Sequence, residues 1–120
     1  MNKVAVVADD HEIVREALGA ILVRRFGFAE VRDAASMDEV LLRLDEAPQA
    51  RLVLMDLDMP GVEVASSVAT VRRAYPNVKL TVVSASQRRD DILTALAAGA
   101  HGYITKSLGV AAVGDALAGS

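Results

Sequence analysis

The stretch Leu52-Val-Leu-Met-Asp56-Leu-Asp58-Met-Pro60-Gly61 decides the fold. Four apolar residues in a row, closed by an acid and a Pro-Gly turn, read as a short strand buried on both faces, Leu52 to Met55. The same design recurs on either side. Lys3-Val-Ala-Val-Val-Ala-Asp9-Asp10 is an apolar run ended by two acids, and Gly102-Tyr-Ile-Thr-Lys106 is a run ended by a base. Charges stand where strands should stop, outside the carboxyl ends, which is where open α/β sheets bind ligands.

Between these runs the period changes from strand to helix. Val4 to Ala8 is the first strand. Ile13, Val14, Ala17, Leu18, Ile21 and Leu22 then recur at helical spacing, with Arg15, Glu16 and Arg24 on the opposite face. Phe28 to Ala34 is a more polar strand, expected at or near an edge. Ser36-Met-Asp-Glu39 has the form of a capping box opening a short helix, with Val40, Leu41 and Leu44 inward and Pro48 ending the unit. Val64, Val68, Val71 and Tyr75 mark a third helix, closed by Pro76-Asn77. Leu80 to Val83 is the fourth strand. Asp90 to Ala98 is the fourth helix, with Gly99 as its C-terminal cap. Tyr103-Ile104 is the fifth strand and Leu108 to Ala118 the last helix. Strict alternation predicts a (βα)5 arrangement: one doubly wound sheet of five parallel strands, right-handed crossovers and helices on both faces.

Composition agrees with a single domain over residues 1–120. The chain is 52% hydrophobic, and its only aromatics are Phe26, Phe28, Tyr75 and Tyr103, so the core is built of small aliphatics. A net charge of −3 argues against direct nucleic-acid contact by this segment. With no cysteine, disulfides, thiolate catalysis and zinc–sulfur sites are excluded. No apolar stretch approaches the roughly 18 residues of a membrane span. The amino-terminal residues lack a signal-peptide pattern, so a cytoplasmic location is expected.

Three carboxylates (Asp9, Asp10, Asp56) and one ammonium (Lys106) converge at the strand ends. Packed like charges resist ionising, so this arrangement asks for a counter-charge. Hard oxygens suit Mg2+, which keeps waters and takes phosphate oxygens as further ligands. An ionised aspartate beside such an ion can attack phosphorus. Lys106 could then pair with a phosphoryl oxygen, and the hydroxyl of Ser84 could hydrogen-bond another.

These residues resemble the receiver domain of two-component response regulators. The acidic pair Asp9-Asp10, the motif Leu54-Met-Asp56-Leu-Asp-Met-Pro60-Gly61, Val83-Ser84-Ala85 and Tyr103-Ile-Thr-Lys106 match its landmarks in order, along the whole chain. Asp10, Asp56, Ser84 and Lys106 stand 46, 28 and 22 positions apart in succession. Ala8-Asp-Asp-His-Glu-Ile-Val-Arg15 and Ala98-Gly-Ala-His-Gly-Tyr-Ile-Thr-Lys106 look like the subfamily that carries a LuxR-type helix-turn-helix after the receiver.

The resemblance implies a flavodoxin-like sheet of order 2-1-3-4-5. It implies that Asp56 accepts a phosphoryl group from a sensor histidine kinase, without turnover on a diffusible substrate. Mg2+ would be held by Asp9 or Asp10, or both, with Asp56 and the backbone carbonyl of Asp58 as further ligands. Ser84 and Lys106 would serve the phosphoryl group, Tyr103 would switch with Ser84, and a C-terminal DNA-binding domain outside this chain would receive the signal. There are departures from the family pattern: Val64 where Gly is frequent, Glu63 for a common Asp, Ser107 where many relatives have Pro, and Ser84 rather than Thr.

Other readings stand beside this one. A pseudo-receiver, an interaction domain that never sees phosphate, would share the fold. Asp56-Leu-Asp58 is also the D-x-D signature of haloacid-dehalogenase-type phosphatases, although size, Met59-Pro60 and the unexplained Asp9-Asp10 speak against that. His11 reads as a helix-start residue rather than a ligand, and His101 as a surface loop residue. In the last helix Asp115 is the only charge. Leu108, Val110, Val113 and Leu117 are expected to face the sheet, with Ala111, Ala112, Ala116 and Ala118 as an outer face for a homodimer contact or an output domain.

Overall fold

The computed structural model describes residues 3–119. Five strands and five helices alternate: β1 (Val4–Ala8), α1 (Glu12–Phe26), β2 (Glu30–Ala34), α2 (Met37–Glu46), β3 (Leu52–Met55), α3 (Val64–Ala74), β4 (Lys79–Ser84), α4 (Arg89–Ala97), β5 (Gly102–Thr105) and α5 (Val110–Ala118). The strands form one parallel sheet in the order β2-β1-β3-β4-β5, as expected.

The unbroken apolar runs are explained by burial on both sides of the sheet. Successive strand residues point to opposite faces. Val4, Val6 and Ala8 of β1 and Val53 and Met55 of β3 pack under α2, α3 and α4, against Val40, Leu44, Val68, Val71 and Ala95. Ala5 and Val7 of β1 and Leu52 and Leu54 of β3 pack under α1 and α5, against Leu18, Leu22, Val113 and Leu117. Each fully buried Leu or Val contributes about 1.5–3 kcal/mol of transfer free energy. β2 lies at an edge, and its outward residues Glu30 and Asp33 are exposed.

The capping box at α2 forms with one change. The Glu39 N–H donates to Ser36 Oγ at 3.2 Å, but Glu39 Oε1 reaches back one residue further, to the Ala35 N–H at 2.9 Å. Helix α4 ends where Gly99 adopts φ +115°, a left-handed conformation that suits glycine.

Four expectations need correction. Ile13, assigned to the inward stripe of α1, is 80% exposed. At about 100° per residue it stands roughly 140° around the helix from Leu18, off the buried face. Arg15, assigned outward, stands seven residues before Leu22 and so nearly shares its azimuth; its side chain is only 15% exposed. Leu108, expected against the sheet, precedes α5 and is 81% exposed, because the helix begins only after Gly109 at φ +94°. Strand β2 also starts later than expected, although Phe28 is buried in the layer beneath α1 and α5.

Candidate functional site

The order β2-β1-β3 makes the chain change direction at β1, so the carboxyl ends of β1 and β3 open a crevice. Asp9 follows β1, Asp56 follows β3, Ser84 ends β4 and Lys106 follows β5. The ladders extend just past the strands and fix these backbones. The Asp9 N–H donates to Ala34 O, the Asp56 N–H to Ala8 O and the Lys106 N–H to Ser84 O, all within 3.0 Å.

Asp9 and Asp56 are buried, at 1% and 2% exposure. Lys106 spans them: its Nζ donates to Asp9 Oδ2 at 2.8 Å and to Asp56 Oδ2 at 3.2 Å. The second oxygen of each acid takes a backbone donor. Asp9 Oδ1 accepts the His11 N–H at 2.8 Å, and Asp56 Oδ1 accepts the Asp58 N–H at 3.2 Å. Asp10, Asp58 and His11 are more exposed.

The two buried acids respond oppositely. Burial pushes the Asp9 carboxyl up, but the Lys106 hydrogen bond and the His11 N–H outweigh it and hold Asp9 below the ordinary carboxylate value. For Asp56 burial wins, aided by the charge of Asp9 and only partly offset by the Asp58 N–H and Lys106, so its carboxyl is raised. Burial lowers Lys106, yet its bonds to both acids more than reverse this and keep the ammonium protonated.

Ser84 is fully buried, and its Oγ accepts the Ser86 N–H at 3.1 Å. Tyr103, half-buried, donates its hydroxyl to Ser86 O at 2.9 Å. Ser86 Oγ in turn donates to Asp91 at the start of α4. Ser84 at the end of β4 and Tyr103 in β5 are thus both bonded to Ser86, in the loop after β4, which is tied to α4.

Two features lay outside the sequence reading. Arg15 Nη1 donates to the backbone carbonyl of Asp9 at 2.7 Å; its place seven residues before Leu22 was the available signal. His11 is the residue before α1, as read, but its ring also leans onto the acidic pair, with Nδ1 3.3 Å from Asp9 Oδ1 and 3.1 Å from Asp10 Oδ1. Asp9, Asp10 and His11 form a group that could hold a metal ion, their ligand atoms all within 4.8 Å of one another. The donor set fits a divalent cation, since the carboxylates of Asp9 and Asp56 share a single ammonium and a third, Asp10, stands beside Asp9. A hollow of about 420 Å³ at the other end of the sheet, lined by Lys3, Phe28, Arg51 and Lys79 among others, shares no residue with this site.

With this geometry the sequence pattern described as the response regulator receiver domain matches residues 5–118. The chain belongs to that family. Receiver domains are signalling domains of two-component systems. This receiver domain is 33% identical over 111 residues to the glycerol metabolism activator of Pseudomonas putida, covering 92% of this chain and 50% of that one. It is 34% identical over 104 residues to the response regulator GacA of Pseudomonas protegens, covering 87% and 48%. The crystal structure of a LuxR-family two-component response regulator from an Aurantimonas species superposes with a TM-score of 0.84 at 30% identity, over 99% of this chain and 84% of that one. The chain spans about half the length of the curated relatives it matches. Among the described residues, no helix is long and apolar enough to cross a membrane.

The family assignment replaces the phosphatase alternative for Asp56-Leu-Asp58. The departure at Glu63 has a local role: its carboxylate caps α3 by accepting the Ser66 N–H at 2.9 Å.

Proposed function

We propose that this receiver domain is a phosphorylation switch in which Asp56 accepts the phosphoryl group of a sensor histidine kinase. The observation that carries the reading is the Lys106 ammonium held between two buried carboxylates, Asp9 and Asp56, at the crevice of the sheet. Nothing in the packing of an inert domain calls for two buried acids on one cation, because each buried charge carries a desolvation cost.

In this reading an oxygen of the Asp56 carboxylate attacks phosphorus. An O–P bond forms, the N–P bond of the kinase phosphohistidine breaks, and the histidine nitrogen keeps the electron pair. Lys106 then pairs with a phosphoryl oxygen as Asp56 becomes an acyl phosphate. Asp9, Asp10, Asp56 and the Asp58 backbone carbonyl are the ligands assigned to Mg2+. The ion supplies positive charge that neutralises the oxygens of the transferring group. The bond from the Ser86 N–H uses one lone pair of Ser84 Oγ and leaves its O–H as a donor toward the phosphoryl group. Since Tyr103 and Ser84 are both bonded to Ser86, movement of Ser84 is felt by Tyr103 and by α4. That is a local charge change biasing a two-state loop.

The downstream reading is transcriptional: residues 1–120 as the N-terminal receiver of a longer cytoplasmic regulator, controlling a C-terminal DNA-binding domain. A second copy is assigned to the outer face of α5, where Ala111 and Ala116 are exposed. Loss of self-association in Ala116→Glu, with phosphorylation retained, tests that face by sedimentation.

The test of the switch is intact mass after incubation with Mg2+ and acetyl phosphate, for the native chain and Asp56→Asn. A gain of one phosphoryl group that disappears in Asp56→Asn supports the reading. No gain with Mg2+ binding verified turns the domain into a phosphorylation-independent interaction module.

A further inference from the structure

We infer that His11 is a specificity-determining ligand of the metal site, so that the site favours divalent transition ions that accept imidazole over Mg2+. The inference rests on the metal reading above and adds a nitrogen donor to its oxygen set.

The geometry of the acidic loop supports it. His11 Nδ1 lies 3.3 Å from Asp9 Oδ1 and 3.1 Å from Asp10 Oδ1. Neighbouring donors around an octahedral ion with bonds of about 2.1 Å stand about 3.0 Å apart, so the imidazole nitrogen already stands near that spacing from each of the two carboxylate oxygens. The loop is held in place for this. The His11 N–H fixes Asp9 Oδ1 at 2.8 Å, Lys106 holds the other Asp9 oxygen, and Arg15 holds the Asp9 carbonyl. Asp9 and Asp56 are buried with both oxygens of each engaged, so Asp10 and His11 are the exposed donors of the group. The imidazole is 72% exposed and the Asp10 side chain 38%, so an ion can reach both donors from solvent.

Donor chemistry sets the preference. Imidazole suits Fe2+, Co2+, Ni2+, Cu2+ and Zn2+, whereas Mg2+ takes oxygen and gains little from a nitrogen. Removing the imidazole should therefore weaken transition-ion binding much more than Mg2+ binding.

The chain provides its own control. Its two histidines are His11 and His101, and His101 lies at the opposite end of the sheet, where its Nδ1 accepts the Leu80 N–H. The experiment is a titration of the untagged chain with Co2+, followed by the ring-proton resonances of both histidines. Affinities for Co2+ and Mg2+ are measured by calorimetry for native protein and His11→Asn. The expected result is early broadening of the His11 ring with His101 unaffected. His11→Asn should weaken Co2+ at least about tenfold and change Mg2+ by less than about threefold. Equal weakening of both ions, no weakening of Co2+, or parallel response of His101 overturns the inference and leaves His11 as an ion-pair partner of the acids. Native protein that binds Co2+ through His11 but fails to bind Mg2+ upholds the inference and refutes the Mg2+ reading instead.

Discussion

Arg15 donates from Nη1 to the backbone carbonyl of Asp9 at 2.7 Å, so the first turns of α1 are tied directly to the acidic loop. Its Nε is buried without a hydrogen-bond partner among the described residues, 3.8 Å from a carboxylate oxygen of Asp33 on β2. The side chain spans α1, the β1–α1 loop and the edge strand. Arg15→Met keeps an aliphatic stem and removes the donors. A hydrogen bond from a charged group contributes about 1.5–3 kcal/mol, so urea unfolding should show a loss of that order. Mg2+ affinity should fall as well, because Asp9 loses its anchor. Unchanged stability and unchanged Mg2+ affinity would remove Arg15 from the site.

Asp9 and Asp56 share Lys106 but should respond oppositely to neutralisation. The Asp9 carboxyl is held below its ordinary value of 3.8, so its charge adds stability above that pH, and the contribution is lost as pH falls through the folded value. The Asp56 carboxyl is raised, so its charge costs stability at neutral pH, and the cost shrinks as pH falls below its folded value toward the ordinary 3.8. In divalent-free buffer at pH 7.5, Asp9→Asn should unfold at lower urea than native protein and Asp56→Asn at higher urea. The Asp56→Asn advantage should shrink as the acid protonates. Two shifts of the same sign would contradict this division of roles.

The rotation of α1 gives a packing test. Leu22 is 1% exposed and Ile13 is 80% exposed. Leu22→Ala should cost about 2–5 kcal/mol through lost burial and a residual cavity. Ile13→Ala should stay within about 0.5 kcal/mol, as surface changes do. Comparable losses in chemical unfolding would mean that Ile13 is covered.

His101 links stability to pH at the other end of the sheet. Its ring, partly covered, accepts the Leu80 N–H through Nδ1 at 3.0 Å, a bond that needs the neutral ring. Burial, with the charges of Arg72 and Lys79, holds its pKa below 6.5. Above pH 6.5 the ring is neutral in both states and the stabilisation is complete. As pH falls below 6.5 the unfolded chain takes up the proton first, and stability is lost down to the folded value. His101→Asn should flatten the stability–pH curve in that window. An unaltered slope would assign the loss to other groups.

Much of the molecule was legible locally. Apolar runs ended by Asp9-Asp10, Asp56 and Lys106, alternating with helical stripes, specify parallel strands and helices, because strand and helix periods are properties of a few neighbouring residues. Ser36 and Glu39 announced the start of α2 for the same reason, although the final reach of Glu39 to Ala35 was set by the loop. Helix orientation was less legible: Ile13 and Leu108 look like core residues by type, and only the docking of α1 and the late start of α5 exposed them.

By itself, the sequence determined the alternation of strands and helices, the apolar core, and the presence of charged residues at strand ends. Tertiary structure decided which charges meet. Lys106 and Asp9 lie 97 positions apart, and their contact exists because the crossovers bring the ends of β1, β3 and β5 to one edge of the sheet. The inward turn of Arg15 and the opposite titration of Asp9 and Asp56 follow from the way these segments pack together. Burial and distance between remote segments govern such energies, and neither is a local property of the chain.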